Sequence, residues 1–193
     1  MNAEPAAGRR PWEGIFLARH GETDYNRERR FQGRLPVPLN EVGRRQAAEL
    51  AEAAVAYGFR ALYCSNLVRA RQTAEIVGER LGLAPSEDAR LAETDSGDWT
   101  DQLFADVHRR DPAGLEAFLR ADPAFAFPGG ESFRAQSERV AAALDHVARG
   151  PTPALVVCHG MVIRLAVSRS RRPPGEVVGP PVRAVSNAAL VPL

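Results

Sequence analysis

Lysine is missing from this chain. All 25 of its basic residues are arginine, and 24 aspartates and glutamates bring the formal net charge to +1. Because the acidic residues are interleaved with the arginines, no basic face for nucleic acid is indicated, and most arginines read as solvated surface charge. Cysteine is nearly absent as well. Cys64 and Cys158 each end an apolar run, which argues against a disulfide framework and for buried, reduced thiols in a cytoplasmic protein. No apolar run approaches the roughly 18 residues of a membrane span. The N-terminal stretch "MNAEPAAGRRPWEG" lacks the apolar core of a signal peptide. Neither a membrane nor a secretory route is expected, and no internal repeat is visible.

What is present is an ordinary globular composition, 45% hydrophobic and 25% charged over 193 residues, long enough to bury its own core. Residues 1–13, rich in Ala, Pro and Arg, read as a flexible leader, and 14–193 as a single domain. "GIFLAR" (14–19) has strand length and runs straight into the polar stretch "HGETDYN". From Asn40, a candidate N-cap, helix-forming residues continue to Gly58. "ALYCS" (61–65) is a second strand. The helix that follows carries Leu67, Ala70, Ala74, Val77 and Leu81 on one stripe. Residues 98–150 are mostly helical, with breaks at Asp111-Pro112 and at "FPGGES" (127–132), and the last of these helices is marked by Phe133, Val140, Leu144 and Val147. "ALVVCH" (154–159) is a third strand leading into an apolar helix. A Pro- and Arg-rich loop (168–183) and a final short strand in "NAALVPL" (187–193) complete the chain. The alternation predicts an α/β fold: a three-layer sandwich with a mainly parallel central sheet flanked by helices.

In such folds functional groups collect beyond the carboxyl ends of the strands, which directs attention to His20, to Ser65–Arg69 and to His159. "RHGETDYN" sets Arg19, His20, Glu22, Asp24 and Asn26 directly after a buried strand, with Gly21 permitting close backbone approach. Arg69 lies in the first turn of a helix, where amide groups and a planar guanidinium both favour anions. Alone, the Arg-His-Gly stretch reads equally well as a polar loop, Arg69 reads more readily as a solvated arginine, and a lone strand-end histidine is more often structural. Two histidines, each at a strand exit and each followed by glycine, are harder to assign to structure alone. The C-x5-R spacing of Cys158 and Arg164 matches cysteine-dependent phosphatases. However, Met161, Val162 and Ile163 between them read as buried helix, and strand alternation turns Cys158 away from His159 into the core.

The stretches "RHGETDYN", "FQGRLPVPLNEVGRRQA", "CSNLVRARQTA", "LAETDSGDW", "PGGES" and "VVCHG" occur in an order and spacing that resemble the histidine phosphatase superfamily, over about residues 14–190. The resemblance implies that His20 is a nucleophile that becomes phosphohistidine. It implies that Arg19, Arg69 and His159 form the phosphate pocket with Gly160, and that Asn26, Gln32 and Gly33 add contacts to phosphate or substrate. Glu93 is implied as the proton donor to the leaving oxygen, with Asp95 and Asp98 as rivals. Thr100 and Asp101 stand where many members carry Glu-Gly, a departure that touches substrate choice.

A neutral imidazole is a nucleophile and a good leaving group once protonated, so it can divide phosphoryl transfer into two easier steps. Arginines and a second histidine can neutralise the transferring group. The expected activity is a metal-independent phosphomonoesterase acting on small phosphorylated metabolites, with no cofactor. A phosphoglycerate mutase is the nearest alternative. The family's mutases are longer, with segments enclosing the intermediate, whereas about 35 residues separate Glu93 from "PGGES" here. A noncatalytic phosphate-binding scaffold and a metal hydrolase using His20, Glu22, Asp24 and His159 are further alternatives. The leaving group would be read by the segment from Leu103 to Phe127. A homodimer is compatible with the sequence.

Overall fold

The computed structural model describes residues 12–171 and 184–193. Its strands are β1 (Ile15–Arg19), β2 (Ala61–Cys64), β3 (Pro85–Glu87), β4 (Ala154–Cys158) and β5 (Leu190–Pro192). Its helices are α1 (Asp24–Arg27), α2 (Glu41–Ala54), α3 (Val68–Leu81), α4 (Phe104–Arg110), α5 (Pro112–Arg120), α6 (Phe133–Val147) and α7 (Gly160–Ser170). One sheet has the order β3-β2-β4-β1-β5. β1 to β4 are parallel, and β5 closes the edge antiparallel to β1. Among the described residues, no helix is long and apolar enough to cross a membrane.

Strand alternation sorts the apolar side chains into two layers. Leu62, Cys64, Leu155, Val157 and Ala18 face α2 and α3, packing on Leu50, Ala51, Ala74 and Val77. Ile15, Leu17, Val156 and Cys158 face α6 and α7, against Val140, Leu144, Ile163 and Val167. Each buried Leu, Ile or Val among them contributes roughly 1.5–3 kcal/mol, so the layers are well supported from both sides. The two cysteines lie in different layers, separated by the sheet. Cys158 is fully buried as expected, and burial pushes its thiol upward. The Cys64 thiol is pushed up to about 12, first by burial and then by Glu87 and Glu75.

A third cluster lies above the strand ends. Phe31, Trp99, Phe125, Phe127 and Phe133 pack with Val107, Leu115, Met161 and Leu165, and Phe104 stacks on Phe31 at 4.0 Å. This aromatic cluster joins α4, α5 and the 121–132 loop to the first turns of α6 and α7.

Three expectations are corrected. The leader does not extend to residue 13, because Trp12 is buried and its indole donates to Asp145 at 2.7 Å; residues 1–11 lie outside the described residues. The stripe helix starts at Val68, so Leu67 of the expected stripe is not helical but extended at its N-cap. In the expected 168–183 loop, Ser168–Ser170 continue α7, and residues 172–183 lie outside the described residues. β3 was not anticipated at all.

Candidate active site

The register decides which side chains meet. Arg19 pairs with Cys158, and Cys64 with Val157, so the residues just past these rungs (His20, Ser65 and His159) emerge at one end of adjacent strands. The His20 amide donates to the Cys158 carbonyl at 3.0 Å and the Ser65 amide to the Val157 carbonyl at 2.9 Å. The two imidazoles end 5.2 Å apart between ring centroids, both buried.

The loop after His20 is held from two helices. The Gly21 amide donates to the Thr73 hydroxyl at 3.1 Å, and the Glu22 amide to the Gln46 side chain at 2.8 Å. Asn40 caps α2 through the Gly43 amide and donates to Glu22 at 2.9 Å. Gly21 and Gly43 pack backbone against backbone: a Cβ on Gly21 would overlap the Gly43 carbonyl, and one on Gly43 would overlap that of Glu22. This close approach is what the two glycines supply.

The neighbours of His20 fix its protonation. Nδ1 lies 2.7 Å from the Gly21 carbonyl, which can only accept, so Nδ1 carries the proton. Nε2 lies 3.3 Å from Nε of Arg69, which can only donate, so Nε2 keeps its lone pair. Electrostatics agree. Burial, then Arg69 and Arg19, push His20 well below the usual histidine range, against the Gly21 hydrogen bond. His159 is pushed the same way by burial, Arg69, His20 and Arg19.

Arg69 reaches the centre from the first turn of α3. Its terminal nitrogens donate to the carbonyls of Gly33 at 2.8 Å and Leu35 at 3.1 Å. Gly33 has φ +48, and a Cβ there would overlap the Ser96 hydroxyl. Burial lowers the Arg69 guanidinium to about 10, with Arg19 adding to the effect and Glu93 opposing it. Arg19 donates to the Val185 carbonyl at 2.6 Å, while its Nε is buried with no hydrogen-bond partner. Nδ1 of His159 is likewise buried and unpartnered, and its Nε2 sits 2.8 Å from the Ser65 hydroxyl. Two unpartnered buried nitrogens beside a histidine lone pair leave polar capacity for an incoming anion.

The other expected residues fall around this centre. Asn26 closes a capping box with Thr23, and the Thr23 hydroxyl donates to Gln32 at 3.0 Å, which orients both amides. Gly160 opens α7 behind the N-cap His159; a Cβ on it would make ordinary contact with Arg19 Nε at 3.5 Å. The Glu93 carboxylate accepts from the Thr94 amide at 2.9 Å, from Gln136 at 3.2 Å and from the Met161 amide at 3.3 Å. The last contact ties it to the helix that begins at His159. Asp95 instead caps the Gly97 amide, and Asp98 is exposed. A cavity of about 310 Å³ beside Asp98, Trp99, Val107, Arg110, Asp111 and Pro128 contains none of the histidine-centred residues. Among the described residues, no group of three or more His, Cys, Asp and Glu side chains is placed to hold a metal ion.

Sequence reasoning missed Thr73, Asn187 and Gln136, and marked Ser65 only as the start of a strand exit. Ser65 holds His159, and Thr73 holds Gly21. Asn187 donates to the His20 carbonyl at 2.9 Å and to Asn26 at 3.3 Å, and Gln136 holds Glu93.

The fold and site define a class: an α/β protein in which two strand-exit histidines meet the half-buried Arg19 and the buried Arg69 of α3 beyond one end of the parallel strands. Residues 15–190 match the family model of the histidine phosphatase superfamily, branch 1. The chain belongs to that family. It is 36% identical over 156 residues to the probable phosphoglycerate mutase GpmB of Klebsiella pneumoniae, covering 80% of this chain and 73% of that protein. Among solved structures it resembles a mycobacterial glucosyl-3-phosphoglycerate phosphatase complexed with VO3, at TM-score 0.80 and 32% identity, covering 91% of this chain and 90% of that one. It also resembles a putative alpha-ribazole-5'-P phosphatase of Escherichia coli, at TM-score 0.72 and 30% identity, with coverage of 84% and 81%.

Proposed function

We propose that the chain is a metal-independent phosphomonoesterase of small phosphorylated metabolites working through phospho-His20. The observation that carries this reading is the His20 imidazole, neutral and buried, with its Nδ1 proton on the Gly21 carbonyl and its Nε2 lone pair directed at the cationic centre. A phosphate monoester would take up the free capacity of Arg19 Nε and His159 Nδ1 and share Arg69 with His20. Nε2 then attacks phosphorus. The N–P bond forms as the ester P–O bond breaks, and Glu93 delivers a proton to the departing oxygen. In the second step water attacks phosphorus, Glu93 takes the proton from that water, and the N–P bond breaks to release inorganic phosphate and regenerate His20. The arginines and His159 stabilise the equatorial oxygens in both steps.

The names of similar proteins divide between mutase and phosphatase. Water as acceptor is supported by the compact segment between Glu93 and Gly130, whose helices α4 and α5 have 7 and 9 residues and are tied into the aromatic cluster. The test is partition in EDTA-treated buffer. Labelled 3-phosphoglycerate should yield labelled inorganic phosphate at every turnover, with the label equal to alcohol released. Label recovered mainly in an isomeric phosphoglycerate would make the protein a mutase. Turnover that chelation abolishes and added metal restores would remove the metal-independent reading.

A further inference from the structure

On α6 the apolar positions Phe133, Val140, Leu144 and Val147 face the core, and Gln136 occupies the same face with no exposed surface. A buried primary amide must find partners for both ends or cost stability. Gln136 finds them in one place. Its carbonyl accepts from the Thr94 hydroxyl in a short contact, and its NH₂ donates to Oε1 of Glu93 at 3.2 Å. The Thr94 amide donates to the same Oε1 at 2.9 Å, whereas Oε2 receives the Met161 amide at 3.3 Å from the start of α7, two residues after His159. The two carboxylate oxygens are thus distinguished: Oε1 is committed to α6 and Thr94, and Oε2 is the oxygen on the His159 side.

We propose that Gln136 is a positioning residue for proton transfer, locking the Glu93 carboxylate in the rotation that turns Oε2 toward the leaving oxygen. This rests on the reading of Glu93 as the acid. An apolar side chain at 136 would leave the buried Thr94 hydroxyl without its Gln136 acceptor and the Glu93 carboxylate without its donor from α6, so the amide links just these two residues. Without its Gln136 donor, the carboxylate keeps the Thr94 and Met161 amides and a 3.4 Å contact from the Thr94 hydroxyl, none of them from α6, and can rotate away from the reacting bond; small misplacements of a catalytic group are costly.

The experiment compares single-turnover phosphorylation of His20 by an alkyl phosphate and by nitrophenyl phosphate in wild type, Gln136→Met, Glu93→Gln and the double variant. Thr94→Val/Gln136→Met, in which no buried hydroxyl loses its acceptor, serves where Gln136→Met folds poorly. Gln136→Met should slow the alkyl phosphate by roughly 10-fold or more and the nitrophenyl phosphate little. In the Glu93→Gln background it should cost nothing further. Equal slowing for both substrates, or a full additional loss in the double variant, would show that Gln136 only supports the fold. A Glu93→Gln variant with no leaving-group dependence would overturn the acid role itself, and the positioning role with it.

Discussion

A histidine can be a base, a nucleophile or a cation, and at His20 two contacts choose between these. The Gly21 carbonyl takes the proton on one nitrogen and Arg69 faces the lone pair on the other. Cys158, next to His159 in sequence, lies in a different setting: it is fully buried in the α6/α7 layer with its thiol pushed upward. Cys158→Ser should leave most of the turnover, at a stability cost of about 1–3 kcal/mol for a buried hydroxyl lacking a good partner. Loss of activity in a folded Cys158→Ser protein would reopen the cysteine reading. Stability should also depend on pH in a defined direction. Both His20 and His159 are lowered far below 6.5 in the folded state, so from that pH downward the unfolded chain binds protons the folded one refuses. Stability should be full above about pH 7 and fall below about pH 6.5, with a slope approaching about 2.7 kcal/mol per unit if both refuse. Bound phosphate favours the imidazolium forms and should flatten that slope. Thermal unfolding between about pH 8 and pH 5, with and without phosphate, measures both effects. A flat profile without phosphate would mean that the histidines are not held neutral.

At the scale of elements, the site depends on how closely α2 approaches the loop after β1. Gly43→Ala puts a methyl group into the Glu22 carbonyl. It should cost about 1–3 kcal/mol or more by overpacking and lower kcat by displacing His20, whereas Gly58→Ala, with open space around it at φ +60, should cost about 1 kcal/mol and spare kcat. Thermal denaturation and steady-state kinetics on both variants separate the outcomes; equal kcat in the two would remove the role of the α2 contact. The same elements show what was legible in the sequence. β1, β2 and β4 were plain because each is a short apolar run followed by a polar exit, and those exits located His20, Arg69 and His159. β3 was not, because Pro85-Ser86-Glu87 has neither alternation nor an apolar residue beyond its proline and gains its strand geometry only by pairing with β2. Gln136 carried a readable signal, a polar residue on the apolar face of α6, but its partner on the distant 92–94 segment did not follow from spacing. Thr73 and Asn187 are short polar side chains like many on the surface, and only tertiary contact singles them out; Ser65 lies at a readable strand exit, but its contact with His159 was not legible.

Across the whole molecule, three hydrophobic clusters divide the work. Two sandwich the sheet and fix the strand register, and the aromatic third holds the α4–α5 segment over the strand ends beside Met161. The centre they frame holds more hydrogen-bonding capacity than its own contacts use, since Arg19 Nε and His159 Nδ1 are buried without partners. The central claim, that this centre passes a phosphoryl group through His20, has a direct measurement. Protein mixed with labelled substrate and quenched within one turnover into denaturing alkali should carry label on a single peptide containing His20, stable to base and lost in mild acid, as a phosphoramidate is. His20→Ala should carry none and turn over no substrate. Base-stable label retained in His20→Ala, or turnover at the wild-type rate in that variant, would contradict the claim.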